Sequence, residues 1–297
     1  MVTNRLWRTL SAFNRSTRSW EPIPLRNRFS PTLRSIDTFW THGLSLISWN
    51  IDAFSPRPVS RAKLILSHIL EESKSPDILF LQEVTPEVRA SLLDDARVRA
   101  VFLVTDAEDE MSFEDVPFAT MTLLSSTRFT SGLDSQKEGD GIEGGEKFML
   151  GRVSRVILPS KCRRDALYVD IIPPISPGTV FRLISDTLHY RAHQMEILAN
   201  VLREPGCSGG IIAGDFNAIS PEDDGLVDKN ELVDAWVALH GRADLDGATL
   251  DKVAMMGLKA KEMEVLRPGT IEVPRPGEKP VEILWSDHCG LRCTFTI

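Results

Sequence analysis

Four short stretches of this sequence place carboxylate, amide or imidazole side chains directly beside an apolar run. These side chains are Asn50 and Asp52, Gln82 and Glu83, Asp215 and Asn217, and Asp287 and His288. Carboxylate and amide oxygens suit Mg²⁺, which keeps several of its waters when a protein binds it. Phosphoester hydrolysis needs an activated water and donors or cations for the growing oxyanion charge. The pattern therefore favours metal-assisted hydrolysis of a phosphoester.

Each of these stretches alone also fits an ordinary turn. Asn50 and Asp52 are of types whose side chains bond nearby backbone in turns. Glu83 stands before "VTPE" and fits the first acid of a helix, and "GDFN" consists largely of turn-forming residues. Asp287 and His288 fit a turn ahead of the last strand. Four apolar runs that each carry such residues at one terminus, however, indicate that these termini meet at one shared rim of the fold.

The apolar runs beside these residues are predicted to be strands. They are "LSLISWNI", "PDILFLQEV", "GGIIAGDFNAI" and "LRCTFTI". Helical spacing marks "SRAKLILSHILEESK", "RAHQMEILANVLRE" and "NELVDAWVALHG". Strands with interspersed helices and hairpin-like pairs predict an α/β (α+β) fold. Two mixed β-sheets would pack face to face, with helices outside.

Composition limits the class of protein. With 42% hydrophobic and 26% charged residues, the 297-residue chain can bury a full core. Its longest apolar runs fall far short of the roughly 18 residues of a membrane span, so we expect no membrane partner. The four cysteines form no CxxC pair and no zinc set, which predicts reduced thiols in an intracellular protein.

Charge is distributed unevenly along the chain. The net charge of −8 argues against a nucleic-acid binder that works by bulk positive charge. Residues 1–35 nevertheless carry +6 and leave −14 for the remainder. We interpret residues 1–40 as a flexible basic arm and residues 41–297 as one domain. A mitochondrial transit peptide is the alternative to a nuclear or cytoplasmic protein.

Taken together, the motifs resemble a known superfamily. "SWN", "LQEV", "GDFN" and "SDH", in this order, are similar to the endonuclease/exonuclease/phosphatase superfamily, whose fold is the four-layered deoxyribonuclease-I-like sandwich. The resemblance covers roughly residues 44–297. "SWNID", "LQEV" and "SDHCGLRC" are most similar to the 5′-tyrosyl-DNA phosphodiesterase branch, which frees a 5′ DNA end from the tyrosine of a stalled topoisomerase. The resemblance implies a Mg²⁺-dependent, monomeric DNA-repair hydrolase in which Mn²⁺ can substitute.

The resemblance also implies roles for residues at the metal and the water. Glu83 in "LQEV" matches the principal Mg²⁺ ligand, with Asn50 of "SWN" nearby in the metal site. Asp215 in "GDFN" matches the residue that activates or positions the attacking water. Asn217 matches the amide that orients phosphate or water.

Further roles concern the phosphoryl group. His288 in "SDH" matches the imidazole that stabilises the pentavalent phosphorane, and Asp287 matches its orienting acid. Asp251 in "LDKV" matches an acid that supports the site, and we place Asp52 in the same supporting class. The family's "HLxS" element is replaced by "SDTLHY", where His189 is the candidate substitute.

Two alternatives stay open. The superfamily shares its metal core, so another phosphoester, such as a nucleotide, an RNA end or an inositol phosphate, also fits the motifs. The altered "HLxS" element and a short loop before "LDKV" are also compatible with an inactive variant that only binds its ligand. Separately, the acidic run "DAEDEMSFED" at residues 106–115 is predicted to be a solvated loop.

Overall fold

The computed structural model describes most of the chain, and the strands in it form two large sheets. It describes residues 5–25, 43–71, 75–109, 113, 116–131, 147–160, 164–174, 178–188, 190–218, 223, 225–242 and 250–297. Sheet A contains, in spatial order, β1 (Arg5–Arg8), β9 (Phe148–Ile157), β10 (Asp165–Ile172), β11 (Phe181–Thr187), β12 (Gly210–Asp215), β14 (Asp251–Met256) and β13 (Val233–Asp234), while β8 (Phe129–Thr130) pairs with β9. Sheet B contains β15 (Lys259–Leu266), β18 (Gly290–Thr296), β4 (Leu44–Asn50), β5 (Ile78–Val84), β7 (Ala119–Ser125), β6 (Phe102–Thr105), β2 (Leu10–Asn14) and β3 (Ser19–Pro22).

Helices and one hairpin complete the described elements. The helices are α1 (Pro58–Glu71), α2 (Pro86–Asp94), α3 (Ala96–Val101), α4 (Arg191–Leu202), α5 (Leu226–Lys229) and α6 (Ala235–His240). The hairpin is formed by β16 (Thr270–Val273) and β17 (Val281–Leu284). In the residues that the structure describes, no helix is long and apolar enough to cross a membrane.

Three apolar clusters stack the elements into four layers. The inner faces of sheets A and B share one cluster, which includes Leu46 of β4 and Leu183 of β11. Ile65 of α1 packs with Ile47 on the outer face of sheet B. Leu198 of α4 packs on the outer face of sheet A in the third cluster. The predicted sandwich of two mixed sheets with helices outside is confirmed.

The parallel pair β4 and β5 lies in the interior of sheet B and explains two of the apolar runs. Strands that are covered on both faces need apolar side chains in both directions, so they show continuous rather than alternating hydrophobicity. Ile47 and Trp49 face the helices and Leu46 faces the other sheet, and all three are fully buried. The polar residues that follow each run therefore mark the place where each strand leaves the core.

The N-terminal segment differs from the flexible arm predicted for residues 1–40. Residues 5–25 belong to the fold: β1 pairs with β9, and the hairpin of β2 and β3 continues sheet B through β6. Leu10 is fully buried in the inter-sheet cluster. Arg5 and Arg8 pair with Glu204 and Asp109, so acids from distant segments neutralise the basic residues. The rest of the predicted arm lies outside the described residues.

The acidic run at residues 106–115 is also only partly solvated. Asp106 is buried and forms an ion pair with the fully buried Arg155 of β9 at 3.0 Å. Arg155 also donates to Thr120 of β7 and to Asp165 of β10. This arginine therefore ties sheet A to sheet B, and the first acid of the run is needed to neutralise it.

Candidate active site

The polar strand ends meet at one rim of the sandwich. β4 and β5 run parallel, with Asn50 opposite Gln82, so both leave sheet B on the same side. In sheet A, Asp215 at the end of β12 lies opposite Asp251 at the start of antiparallel β14. Because the sheets pack face to face, these ends come together across the core. The predicted shared rim exists.

Asn50 joins the two sheets at this rim. Its Nδ2 donates to Asp215 Oδ2 at 3.2 Å, and its side chain lowers the pKa of the Glu83 carboxyl group. Its Oδ1 accepts from the backbone N–H of Asp52 at 3.0 Å. The amide nitrogen, rather than the oxygen, therefore faces Asp215. Asn50 orients Asp215, and its predicted place in the metal site stays a prediction.

Local backbone distortions turn the acids toward the rim. Between Leu81 and Val84 the pairing of β5 with β7 shifts by one residue, which is a bulge at Glu83. Glu83, Asp52 and Asn217 all have positive φ, from 48° to 57°. Such backbone is uncommon outside glycine and concentrates at functional sites. Glu83 Oε2 then accepts the backbone N–H of Ala53 at 3.1 Å.

Asp215 is held by a second amide. Asn217 donates its backbone N–H to Asp215 Oδ1 at 2.8 Å and its Nδ2 to Asp215 Oδ2 at 3.0 Å. Burial raises the pKa of Asp215, the charge of Asp251 raises it further, and the result is about 6 even though His288 lowers it. A carboxylate with this pKa is largely ionised at neutral pH and can accept a proton from water.

Glu83 fits a hard divalent cation. Burial is the main cause that raises the pKa of its carboxyl group, and the charge of Asp215 raises it further, so a nearby cation would favour the ionised Glu83. Among the described residues, Asp215, Asp251 and His288 form a second possible ligand group, with ligand atoms within 4.8 Å of one another. His288 is hydrogen-bonded and readily charged, and an imidazolium is not a metal ligand. Glu83, with Asp215 nearby, therefore fits Mg²⁺ better than the group that contains His288.

His288 is oriented by Asp251, which corrects the role predicted for Asp287. His288 Nδ1 lies 2.8 Å from Asp251 Oδ2, whereas Asp287 comes no closer than 3.8 Å, to Nε2, and its side chain is 72% exposed. Burial alone would lower the pKa of His288. The hydrogen bond with Asp251 and the charges of Asp251, Asp215 and Asp287 instead raise the pKa to about 9. At neutral pH, Nε2 of an imidazolium thus points toward Asp215, 3.9 Å away.

Backbone contacts fix the loop that carries His288 against β4. Ser286 is fully buried, and its hydroxyl donates to Asn50 O at 2.6 Å and accepts from His288 N at 3.0 Å. The indole of Trp49 donates to His288 O at 3.2 Å. The "SDH" stretch is therefore attached directly to the "SWN" stretch.

Arg61 of α1 holds the same two loops together and was predicted only as part of a helix. Its guanidinium donates to five backbone carbonyl oxygens at 2.5–3.0 Å, those of Ile51, Asp52, Ser55, Pro56 and Trp285. The side chain is fully buried, and the Asp52 carboxylate lies 3.5 Å away. Because one residue satisfies carbonyls of both loops, it sets the distance between Asn50 and His288.

Asp52, which was predicted to support the site, forms a turn in the described contacts. Asp52 Oδ1 accepts the backbone N–H groups of Phe54 and Ser55, both at 3.0 Å. Its role is that of the turn former considered for it, with Arg61 as its charge partner. His189 lies outside the described residues.

A cleft beside Glu83 adds residues that sequence patterns did not single out. It is lined by Glu83, Phe118, Arg164 and Thr187, among others. The guanidinium of Arg164 lies 4.7 Å from the centre of the Phe118 ring. The Thr187 hydroxyl is buried and has no hydrogen-bond partner among the described residues. The sequence "FRLISDT" could have indicated Thr187, because it is a buried strand with polar residues at its end, like the four apolar runs discussed above.

Comparison with known proteins places this site in a family. The model of the Endonuclease/Exonuclease/phosphatase family matches residues 47–288. The chain belongs to this family. Comparison with curated protein sequences finds no significant match. The family match confirms the superfamily predicted from the four motifs.

Solved structures share the fold at low sequence identity. Humanized D. rerio TDP2 is 20% identical with a TM-score of 0.59, and the match covers 86% of this chain and 99% of that one. TDP2 from Caenorhabditis elegans is 20% identical with a TM-score of 0.58, over 86% and 75% of the two chains. ANGEL2, described as a 2′,3′-cyclic phosphatase, is 14% identical with a TM-score of 0.52, over 85% and 95%. At these identities the likeness establishes the deoxyribonuclease-I-like fold within the endonuclease/exonuclease/phosphatase family.

Replacing Asp251 by asparagine is predicted to lower the pKa of His288 from about 9 toward its ordinary value of 6.5, because the main stabilising partner loses its charge. Asp287→Asn, the matched control, is predicted to cause a smaller shift. The raised pKa stabilises the fold below pH 6.5, and this contribution is lost as the pH rises through about 9. Ring-proton NMR titration of the metal-free protein measures both shifts. Equal shifts in the two variants would contradict the assignment of Asp251.

Replacing Arg61 by lysine is predicted to destabilise the protein by about 2–4 kcal/mol, because buried carbonyls lose their donors. Lys63→Met, at an exposed position of the same helix, is predicted to change stability by less than about 0.5 kcal/mol. Urea unfolding measures both. Turnover of the folded Arg61→Lys protein should fall by about tenfold or more if the two loops separate. Wild-type turnover in this variant would show that Arg61 does not set the site's geometry.

Proposed function

We propose that this protein is a Mg²⁺-dependent phosphodiesterase that hydrolyses 5′-tyrosyl-DNA ends. The observation that carries the proposal is the placement of an imidazolium, His288, 3.9 Å from the buried carboxylate of Asp215, at the rim that also carries the half-buried Glu83. This arrangement offers a positively charged donor, a base and a hard-cation ligand around one small volume. Phosphoester hydrolysis requires these three functions together.

The described side chains have separate roles in the reaction. Asp215, oriented by Asn50 and Asn217, accepts a proton from the attacking water. The water oxygen bonds to phosphorus while the bond from phosphorus to the leaving oxygen breaks. His288 donates a hydrogen bond to the phosphoryl oxygen whose charge grows, and Asp251 keeps the ring charged and in place. Glu83 would hold Mg²⁺, which supplies Lewis-acid charge stabilisation when bound.

A tyrosyl leaving group suits this set of residues. Tyrosine has a pKa of about 10 as a phenol, so it departs as phenolate without a strong general acid. In the cleft beside Glu83, Arg164 provides a cation for the charged part of the substrate, and its guanidinium lies against the ring of Phe118. One structure with the same fold, D. rerio TDP2, is described as complexed with a single-strand DNA product. We infer that DNA is the substrate here as well.

Another phosphoester is the second candidate. The fold is shared with ANGEL2, described as a 2′,3′-cyclic phosphatase, so the fold alone does not select a substrate. The motifs and the rim geometry define the reaction class, and both candidates require metal-dependent turnover. An inactive binding variant requires none. Hydrolysis of a generic aryl phosphodiester with Mg²⁺ and with EDTA separates the enzymatic candidates from the inactive one.

Replacing Glu83 by glutamine is predicted to lower hydrolysis of this aryl phosphodiester by about 10²-fold or more at limiting Mg²⁺, since the metal supplies several kcal/mol of charge stabilisation. The side chain keeps its size, so the circular dichroism spectrum should not change. Glu87→Gln, at an exposed position of α2, is the matched control and should retain full activity. If Glu83→Gln and Glu87→Gln hydrolyse the ester equally at every Mg²⁺ concentration, the metal assignment is wrong.

A further inference from the structure

Phe54 is an exposed aromatic side chain at the entrance of the candidate active site. It is 76% exposed, the highest value among the large hydrophobic side chains that the structure describes. Its neighbour in the chain, Ala53, donates its backbone N–H to Glu83. The exposed ring therefore lies on the loop that touches the predicted metal ligand.

The loop that carries Phe54 is held in place. The backbone N–H of Phe54 donates to Asp52 Oδ1 at 3.0 Å, and the carbonyls of Asp52 and Ser55 accept from the buried Arg61. A side chain on such a loop loses little further freedom when a ligand binds. Binding to a preorganised group is favourable because less ordering entropy is lost.

Phe54 also has an aromatic support behind it. Its ring forms a T-shaped pair with Phe118, with 5.4 Å between the ring centres and an interplanar angle of 86°. Phe118 is largely buried and lines the same cleft as Glu83, and Arg164 lies against its ring. Because the Phe54 side chain is 76% exposed, a face of its ring is open to solvent, and a flat ligand stacks on such a face.

We propose that Phe54 is a stacking platform for a nucleobase of the substrate, next to the scissile phosphate. This inference rests on the proposed function and assigns a contact to the base of its substrate, a contact that an inositol phosphate, which has no flat ring, could not form. The net charge of −8 supports it, since an acidic protein gains less from phosphate attraction and needs other contacts to hold DNA. Stacking of one base on an aromatic side chain raises affinity by about tenfold and tolerates any sequence.

The test uses two substrates with the same scissile bond. One is the p-nitrophenyl ester of thymidine 5′-phosphate, and the other is the same ester of the abasic sugar phosphate. We expect wild-type protein to show a kcat/KM about tenfold higher for the base-bearing ester. Phe54→Ala should remove this preference by lowering kcat/KM for the thymidine ester alone, whereas Phe54→Trp should retain the preference. Trp7→Ala, at a 59% exposed aromatic position on β1 of sheet A, is the matched control and should keep it too.

Three other outcomes would contradict the proposed role of Phe54 as a stacking platform. A preference for the base that survives Phe54→Ala, a wild-type protein without preference, or an equal loss on both esters would each do so. The same three variants are also compared by fluorescence anisotropy with a thymidine oligonucleotide and an abasic oligonucleotide. If wild-type protein cleaves neither ester with Mg²⁺, the proposed function fails, and the binding comparison then decides on the platform alone.

Discussion

The site is organised around carboxylates that are buried close together. Glu83, Asp215 and Asp251 lie at one rim between two sheets, where burial raises the pKa of each. Like charges in a low-dielectric site repel, so such a group persists only if donors and cations surround it. The amides of Asn50 and Asn217 and the imidazole of His288 supply that surrounding. Because the negative charge of these carboxylates must be compensated, hydrogen-bonding side chains lie close together at the otherwise apolar interface between the two sheets.

The compensation depends on backbone that is fixed from outside the rim. The bulge in β5 and the positive φ of Glu83 set the direction of the principal acid. Arg61 and Ser286 then bind the carbonyls and amides of the two loops that carry the remaining groups. Arg61 and Ser286, to which no chemical step is assigned, therefore help to determine the distances on which the chemistry depends. The same frame presents Phe54 beside the acids.

Sequence patterns predicted the strand ends but not every partner. The runs before Asn50, Glu83 and Asp215 are long, apolar and followed by polar residues, which is enough to place them at one rim. The partner of His288 was not predictable in this way. Asp287 is its neighbour in sequence, but the two residues lie in a bend between β17 and β18, and the Asp287 side chain is 72% exposed. Antiparallel pairing of β12 with β14 instead brings Asp251 to the rim.

The N-terminal segment was misread for a related reason. Its arginines suggested an unstructured basic arm, because composition does not show which distant acids will neutralise them. Arg5 meets Glu204 only after β1 has paired with β9, a contact between segments far apart in the chain. Non-local pairing of this kind leaves little trace in a single sequence. The buried ion pair of Arg155 and Asp106 was not predictable for the same reason, because Asp106 belongs to a run of acidic residues that suggested a solvated loop.

Family membership defines the reaction class, and the substrate is the central claim that remains to be measured. The most direct measurement is release of tyrosine from a 5′-tyrosyl oligonucleotide, compared with a 3′-linked tyrosyl oligonucleotide and repeated in EDTA. We predict release from the 5′-linked substrate with Mg²⁺, little from the 3′-linked one, and none in EDTA. Equal release from both linkages, or release that continues in EDTA, would contradict the proposed substrate or the proposed metal dependence respectively.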